Sequence, residues 1–169
     1  LAPPHSLPRP LRPWLCDRGS LTQRLRSRCT SFRVVPLATG LARPNPDEYA
    51  LLNMVAGRRA YVREVLLLCN DTPVVFAHSV LPYSSLRGGW NGITRLGSRP
   101  LGEALFSDPR ILRQPLAYHR VWRDHPLFRA IAPQLVPRVS SLWARRSVFS
   151  LKGHPLLVTE VFLPAIDAL

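Results

Sequence analysis

The fold of this chain is decided by the stretch RRAYVREVLLLCNDTPVVFAHSVL, residues 58–81. Arg58 to Cys69 is rich in β-branched and large apolar residues and predicts a long strand. Asn70-Asp71-Thr72-Pro73 is a turn sequence, and Val74 to Leu81 has the composition of a partner strand. These residues therefore predict a long antiparallel β-hairpin.

A second hairpin is predicted at the end of the chain. Arg138 to Leu151 and Leu156 to Leu163 have the composition of strands, and Lys152-Gly153-His154-Pro155 between them is a turn sequence. The second of these strands contains a single carboxylate, Glu160, in a largely apolar run. A buried ionisable group needs a charged partner, a hydrogen-bonding partner or a ligand. Glu160 is therefore the first candidate functional residue.

The first hairpin contains a basic residue in a similar setting. Side chains alternate across a strand, so Arg63 shares its face with Tyr61, Val65 and Leu67, whereas Glu64 points to the other face. Arg63 and Glu64 therefore each need a partner of their own. For Arg63 that partner could be Tyr61 or a bound carboxylate. A buried acid and a buried base on different strands suggest a polar pocket.

An alternative that needs no ligand stays open for Glu160. Its carboxylate could form a buried salt bridge with an arginine such as Arg63 or Arg146, and that pairing would satisfy both charges without any chemistry. The positions of these residues in the sequence do not separate a structural salt bridge from a functional role.

The rest of the chain mixes short helices with strands. Ser20 is a predicted N-cap, and a proline in the first turn predicts a second helix start. The predicted elements are a helix from Ser20 to about Cys29, a strand from Thr30 to Ala42 with an edge position or bulge at Pro36, a helix from Pro100 to Phe106, a strand from Arg110 to Val121, and loops with helical turns at Pro82 to Arg99 and Trp122 to Pro137.

Together these elements predict an α+β fold. We expect a single antiparallel sheet of about six strands with helices packed on one face, because hairpins prevail and strands do not alternate regularly with helices. A length of 169 residues with 46% apolar composition suffices for one core. We expect residues 14–169 to form one domain and residues 1–13, which are rich in proline, to form a flexible arm.

Charge and cysteine content bear on the binding partners and the cellular compartment of the protein. The formal net charge is +13, and Lys152 is the only lysine. Such an arginine bias is common in proteins from GC-rich genomes, but a positive field also speeds the encounter with anions. Cys16, Cys29 and Cys69 form no C-x-x-C pair and leave one over, which argues against a disulfide framework and for a reducing compartment, the cytoplasm. No apolar stretch is long enough for a membrane-spanning helix, and no export signal is readable.

The sequence contains no recognisable motif for a metal site, a catalytic serine turn, a phosphate-binding loop or nucleic-acid binding. The histidines are scattered, without an H-E-x-x-H motif or paired cysteines, so no metal site is predicted. The G-x-S-x-G turn is missing, and Gly88-Gly89-Trp90-Asn91-Gly92 follows no strand-to-helix pattern that would hold a phosphate. Arginines are spread over the whole chain, and no nucleic-acid-binding motif is readable. No nucleic-acid partner is therefore expected.

Four blocks of sequence carry a family resemblance. They are REVLLLC at 63–69, LGSRPLG at 96–102, WARRS at 143–147 and GHPLLVTEVFLP at 153–164. In composition, order and spacing they resemble the bacterial chorismate pyruvate-lyase family, and the similarity runs from about Trp14 to the end of the chain. The last block is the most specific of the four.

The resemblance implies an enzyme that converts chorismate into 4-hydroxybenzoate and pyruvate, the entry step to ubiquinone in many bacteria, without metal or organic cofactor. It also implies an antiparallel sheet with flanking helices and a site enclosed by loops. By position, Arg63 would bind the ring carboxylate and Glu160 would face the ring hydroxyl. Leu101 would donate its backbone N–H to the carboxylate, and Leu21 would contact the ligand. We expect a monomer.

Two questions about the reaction stay open at this point. Chorismate is a dianion, so the carboxylate of its enolpyruvyl arm needs a second cation, for which Arg145 and Arg146 are the candidates. Glu160 would act as a general base or as an acceptor that orients the 4-hydroxyl, whereas a cyclic route needs no enzymic base. Because the same fold serves as a sensing domain in transcription regulators, a non-catalytic domain that binds a small aromatic acid is the alternative function.

Overall fold

One sheet of seven strands organises the structure, a computed structural model that describes residues 6–169. The strands are β1 (Phe32–Ala42), β2 (Ala60–Cys69), β3 (Thr72–Leu81), β4 (Leu112–Arg113), β5 (Ala117–Trp122), β6 (Ser141–Leu151) and β7 (His154–Phe162). The α-helices are α1 (Arg12–Leu15), α2 (Leu21–Arg26), α3 (Tyr83–Arg87), α4 (Leu101–Ser107) and α5 (Pro126–Ile131), and short 3-10 turns occur at Ala50–Leu52, Ile93–Arg95, Ala132–Gln134 and Pro164–Ala168. None of the helices in this described part is long and apolar enough to cross a membrane.

Both predicted hairpins are confirmed, and each closes with a two-residue turn. β2 and β3 pair from Cys69 and Thr72 outward around Asn70-Asp71, and β6 and β7 pair around Lys152-Gly153. The φ angles are 49° and 62° in the first turn and 51° and 80° in the second. Two successive positive φ angles match the right-handed twist of the flanking strands. The turns are shorter than predicted because the residues after them continue the strand ladder.

The sheet is antiparallel, as predicted, and its order is β1-β2-β3-β7-β6-β4, with β5 also paired to β6. The predicted strand from Arg110 to Val121 is interrupted in the middle. The backbone N–H of Gln114 still donates to Val148 O at 2.9 Å, but Pro115 has no N–H to continue the ladder. β4 and β5 are therefore separate, which raises the strand number from the expected six to seven.

Helices cover both faces of the sheet, which corrects the prediction that they pack on one face. α1 and α2 pack against Val65 and Phe162, and α4 contacts the cluster that contains Val158 on the same face. α5 lies on the opposite face, where it packs against Leu66 and Val161. The near-continuous apolar runs of β2 and β7 are typical of strands that are buried on both faces.

Part of the predicted proline-rich arm is folded. Residues 1–5 lie outside the described residues, but Leu7 is only 3% exposed and belongs to the core. α1 begins at Arg12, inside the predicted arm, and buries Trp14 and Leu15. Leu7 and α1 thus pack on the core, a contact that the proline-rich composition does not reveal. The boundary between arm and domain stays a prediction.

The structure contains a disulfide between Cys29 and Cys69, which corrects the expectation of unpaired cysteines. The two Cα atoms lie 5.5 Å apart although 40 residues separate them in the sequence. Cys29 follows α2, and Cys69 is the last residue of β2, so their proximity arises only when α2 packs on the sheet. Cys16 is the free cysteine of the described residues. Cysteine spacing therefore gives no support for a reducing compartment.

A buried charge cluster lies on the sheet face opposite α1, α2 and α4. His78 on β3 contacts Glu64 Oε1 through Nδ1 at 2.9 Å and Glu48 Oε1 through Nε2 at 3.0 Å. The side chains of His78 and Glu48 are 4% and 1% exposed. Burial by itself lowers the pKa of His78, but the hydrogen bonds and charges of Glu48 and Glu64 outweigh burial and raise it to about 9.

We expect this cluster to make the free energy of unfolding fall as the pH rises above neutral. The pKa of His78 is about 9 in the folded protein and about 6.5 in an unfolded chain. A raised pKa gives stability that is complete below about pH 6.5 and is lost as the pH rises through about 9, roughly 3 kcal/mol in all. Urea unfolding at about pH 7 and about pH 9.5 should show this loss. His78→Gln should remove most of the pH dependence, and an equal loss in both proteins would contradict the assignment.

Candidate active site

A cavity lies between the sheet and the two short helices α2 and α4. Six residues are predicted from the sequence for the site, and five of them line this cavity: Leu21, Arg63, Leu101, Arg145 and Glu160. The sixth, Arg146, does not. The cavity thus brings together residues from both hairpins and from two helices that are far apart in the sequence.

The helices form one wall of the cavity because they approach each other closely. Ser20 caps α2 as predicted, since its Oγ accepts the backbone N–H of Gln23 at 3.3 Å, and Leu21 is the first helical residue. Leu101 is the first residue of α4 and follows Pro100. A Cβ atom at Gly102 would lie only 2.7 Å from Thr22 Oγ1, so a side chain there would push the two helices apart.

The strand register places the polar side chains of the floor. Ala77 on β3 pairs with Glu160 on β7, and Glu160 pairs in turn with Arg145 on β6. Arg63 on β2 pairs with Ser79, the residue two positions along the same face of β3. Because side chains two residues apart in a strand share a face, Arg63 and Glu160 project into the same space from different strands.

Arg63 is a buried cation without a carboxylate partner among the described residues. It is 2% exposed, and its Nη2 donates to the backbone carbonyls of Gly97 at 3.1 Å and Arg99 at 2.9 Å. Burial lowers the pKa of Arg63, an effect that the nearby Tyr61 partly offsets. A buried guanidinium that contacts only carbonyl oxygens is incompletely compensated, and an anion in the cavity would complete its surroundings.

The predicted salt bridge of Glu160 exists, but its partner is Arg145 and neither Arg63 nor Arg146. Arg145 Nε donates to Glu160 Oε2, and the Arg145 side chain is 1% exposed. Its Nη1 donates to Trp14 O at 2.8 Å and to Asp17 O at 2.6 Å. Arg145 is therefore held by protein groups on three sides, while Glu160 keeps surface toward the cavity.

Arg146 lies on the opposite face of the sheet. Its Nη1 pairs with Asp47 Oδ2, and its neighbour across the strands is Thr159. The side chains of consecutive residues in a strand point to opposite faces, so Arg145 and Arg146 cannot both enter the cavity. The structure thus corrects the candidacy of Arg146 for the second carboxylate.

Sequence reasoning missed a third arginine of the cavity, Arg113 on β4. Its Nε donates to Ser147 Oγ at 3.3 Å and its Nη1 to Arg18 O at 3.0 Å. Burial lowers the pKa of Arg113, and the charge of Glu160 opposes this effect. The sequence around Arg113 has no motif or apolar alternation that would have singled it out from the other arginines.

The charged groups of the cavity do not suit a metal ion. No group of three or more His, Cys, Asp or Glu side chains within residues 6–169 is placed to hold one. Three guanidiniums and one carboxylate line the cavity instead, from Arg63, Arg113, Arg145 and Glu160. This donor set is suited to an organic anion with carboxylate groups.

Fold and cavity together define an α+β protein with a small enclosed site between one antiparallel sheet and two helices. Among solved structures, the effector domain of PhnF from Mycobacterium smegmatis has a similar fold, with a TM-score of 0.58 at 14% identity over 86% of this chain and 89% of that one. A likeness at this identity shows the shared fold alone.

The sequence comparisons are more specific. The chain belongs to the chorismate lyase family, whose profile matches residues 5–167. It is 58% identical over 165 residues to a "Probable chorismate pyruvate-lyase" of Thiobacillus denitrificans. The alignment covers 96% of this chain and 88% of the relative. A relative of the same name from Aromatoleum aromaticum is 54% identical over 168 residues, with 97% and 90% covered. The resemblance found in the four sequence blocks is thereby confirmed.

Proposed function

We propose that this protein is a lyase that removes pyruvate from chorismate and releases 4-hydroxybenzoate. The observation that carries the proposal is the cavity of a chorismate lyase family member. In it the buried guanidinium of Arg63, which has no carboxylate partner among residues 6–169, faces the same space as Glu160. An enclosed site with an uncompensated cation at one end and a carboxylate at the other suits a small aromatic acid with a hydroxyl group opposite its carboxylate.

In this proposal Arg63 binds the ring carboxylate through the N–H groups that the carbonyls of Gly97 and Arg99 leave free. The backbone N–H of Leu101, two residues after Arg99, donates to the same carboxylate. As the first residue of α4 it has no acceptor for this N–H within the helix. Leu21 supplies an apolar contact to the ring from α2. These contacts hold the substrate in one orientation over the sheet.

The reaction breaks the C4–H bond and the C3–O bond of the ring. The electron pair of the C4–H bond forms the last double bond of the aromatic ring, and the pair of the C3–O bond leaves with enolpyruvate, which takes a proton to become pyruvate. Nothing is oxidised or reduced overall, so we propose that no cofactor takes part. Aromatisation supplies the driving force, and the protein contributes orientation and charge stabilisation.

Glu160 lies at the reacting end of the ring in this arrangement. Its Oε2 accepts from Arg145, and its other oxygen is free to accept from the 4-hydroxyl or to take the C4 proton. In the cyclic route the enolpyruvyl methylene takes that proton, and Glu160 only orients the hydroxyl. Both routes use the same placement of the carboxylate, and they differ in how much turnover survives its removal.

The charge of the substrate bears on where in the cell the enzyme acts. A dianion does not cross a lipid bilayer unaided, and we propose that the protein acts in the cytoplasm. We also propose a monomer in which residues 14–169, together with the packed part of the arm around Leu7, act as one domain. The net charge of +13 attracts an anionic substrate, and no nucleic acid is needed to explain it.

One experiment tests the activity directly. Purified protein mixed with chorismate should release pyruvate, measured by a coupled lactate dehydrogenase assay, together with an equal amount of 4-hydroxybenzoate, measured by chromatography. Folded protein that releases neither product would reject the lyase. A sensing domain is the second candidate, since the fold is shared with an effector domain, and it would bind 4-hydroxybenzoate without turning chorismate over.

A further inference from the structure

The cavity carries more positive charge than the single carboxylate of the product requires. Of the residues that line it, three are arginines and one is a glutamate, so two positive charges remain in excess. The nearby Asp17 does not line the cavity and pairs with Arg24 at 3.0 Å. Chorismate carries two carboxylates and 4-hydroxybenzoate carries one. The charge of the cavity therefore complements the substrate and overcompensates the product.

The three arginines are not equally available. Arg145 is committed to Glu160 and to two backbone carbonyls. Arg113 has no carboxylate partner among residues 6–169. Its Nε and Nη1 donate to Ser147 Oγ and Arg18 O, its Nη2 has no hydrogen-bond acceptor in that part of the chain, and its side chain lines the cavity. Arg113 and Arg63 are thus the two cations that can bind a carboxylate of the ligand.

Arg113 and Arg63 stand at opposite ends of one row across the floor. Arg63 pairs with Ser79, Ser79 with Val158 and Val158 with Ser147, the residue that holds Arg113. Glu160 lies between them, two residues after Val158 on the same face of β7. A ring anchored at Arg63 with its C4 near Glu160 therefore has one edge turned toward Arg113.

Aromatic rings fix the guanidinium of Arg113. Its Cζ atom lies 5.0 Å from the ring centre of Phe149 and 5.7 Å from that of Phe106. Cation–π contacts of this kind hold the group in place and keep water from part of its surface. The group is therefore positioned before a ligand arrives.

We infer that Arg113 binds the carboxylate of the enolpyruvyl arm and that it is the contact by which the site distinguishes chorismate from 4-hydroxybenzoate. This inference rests on the proposed lyase function. When the C3–O bond breaks, the carboxylate on Arg113 leaves with pyruvate. The remaining product keeps its contacts with Arg63, Leu101 and Glu160 but loses the one with Arg113, so the interaction with Arg113 favours substrate over product.

The test compares substrate and product on one variant. Arg113→Gln should raise KM for chorismate about 10- to 100-fold, the effect expected for loss of a partly buried charge-assisted contact. The inhibition constant for 4-hydroxybenzoate should change less than about 2-fold, because the product has no second carboxylate to lose. Arg110→Gln is the matched control, since Arg110 lies nearby in sequence, is exposed and pairs with Asp108. It should change neither constant.

Two outcomes would overturn the inference. Equal weakening of chorismate and 4-hydroxybenzoate would make Arg113 a general structural support, and an unchanged KM would remove it from the site. If the variant does not fold, an inhibition experiment with the wild-type protein still tests the second carboxylate site. A 4-hydroxybenzoate that carries a carboxymethoxy group at position 3 should then inhibit at least about 10-fold more tightly than 4-hydroxybenzoate, and equal inhibition would refute the second carboxylate site. Wild-type protein that releases no pyruvate would instead refute the proposed function.

Discussion

Replacing Glu160 by Gln should lower kcat for pyruvate release by at least about 100-fold, the usual contribution of a positioned proton acceptor. The amide keeps the size of the side chain and one oxygen that accepts from Arg145, but its NH2 group then faces the cavity and can neither take the C4 proton nor accept from the 4-hydroxyl. KM should change much less, because the ring carboxylate is held by Arg63 at the other end of the site. Initial rates over a range of chorismate concentrations separate the two constants.

Stability has to be followed in the same variant. Arg145 is buried, and removal of the charge on its partner costs stability because part of the Arg145 charge is left uncompensated. A thermal melt of the variant therefore shows at which temperatures it is fully folded, and its rates are compared with those of the wild type only there. Glu103→Gln is the matched control, since Glu103 is exposed and pairs with Arg26 at the surface, and its rate should equal that of the wild type. A folded Glu160→Gln protein with normal kcat would show that the reaction does not need this carboxylate and would favour the cyclic route.

Replacing Arg63 by Ala should weaken 4-hydroxybenzoate binding by about 100-fold, since two charge-assisted hydrogen bonds to a buried carboxylate are lost. Binding of chorismate should fall by a comparable factor, because the ring carboxylate is common to both molecules. Isothermal titration with 4-hydroxybenzoate and the KM for chorismate measure the two effects. The folded protein should tolerate the change at a modest cost, because only the carbonyls of Gly97 and Arg99 lose a donor and no carboxylate of residues 6–169 is left unpaired.

Arg59→Ala is the control for this experiment. Arg59 lies just before β2 in the same hairpin, and it is exposed. It shares the charge of Arg63 but not its place in the cavity, so its removal should leave both binding constants within about 2-fold of the wild type. If the two variants behave alike, the effect of Arg63 comes from net charge, and the proposed contact is wrong.

Local sequence patterns determined much of the fold. The two hairpins and the Ser20 cap depend on residues close together in the chain, such as Asn70-Asp71 and Lys152-Gly153 in the turns. Within the described residues β1 pairs with β2 alone, and its register shifts after Pro36, as the proline predicted. Arg63 and Glu160 were also recognised from the sequence, since a lone charge in an apolar strand stands out from its neighbours.

Only the tertiary structure decided which charges meet. Alternation places Arg145 and Arg146 on opposite faces, but the register of β6 against β7 decides which of them pairs with Glu160. The same holds for Cys29 and Cys69, which become neighbours only after α2 docks on the sheet.

The sequence by itself determined the hairpins, the α+β class and the two polar residues at the ends of the proposed site, because each depends on a pattern within one or two strands. The tertiary structure decided the partner of Glu160, the coverage of both sheet faces and the entry of Arg113 into the cavity. These features depend on contacts between segments distant in the chain, whose relative placement is set by packing of the whole sheet and its helices and is not encoded in any single stretch.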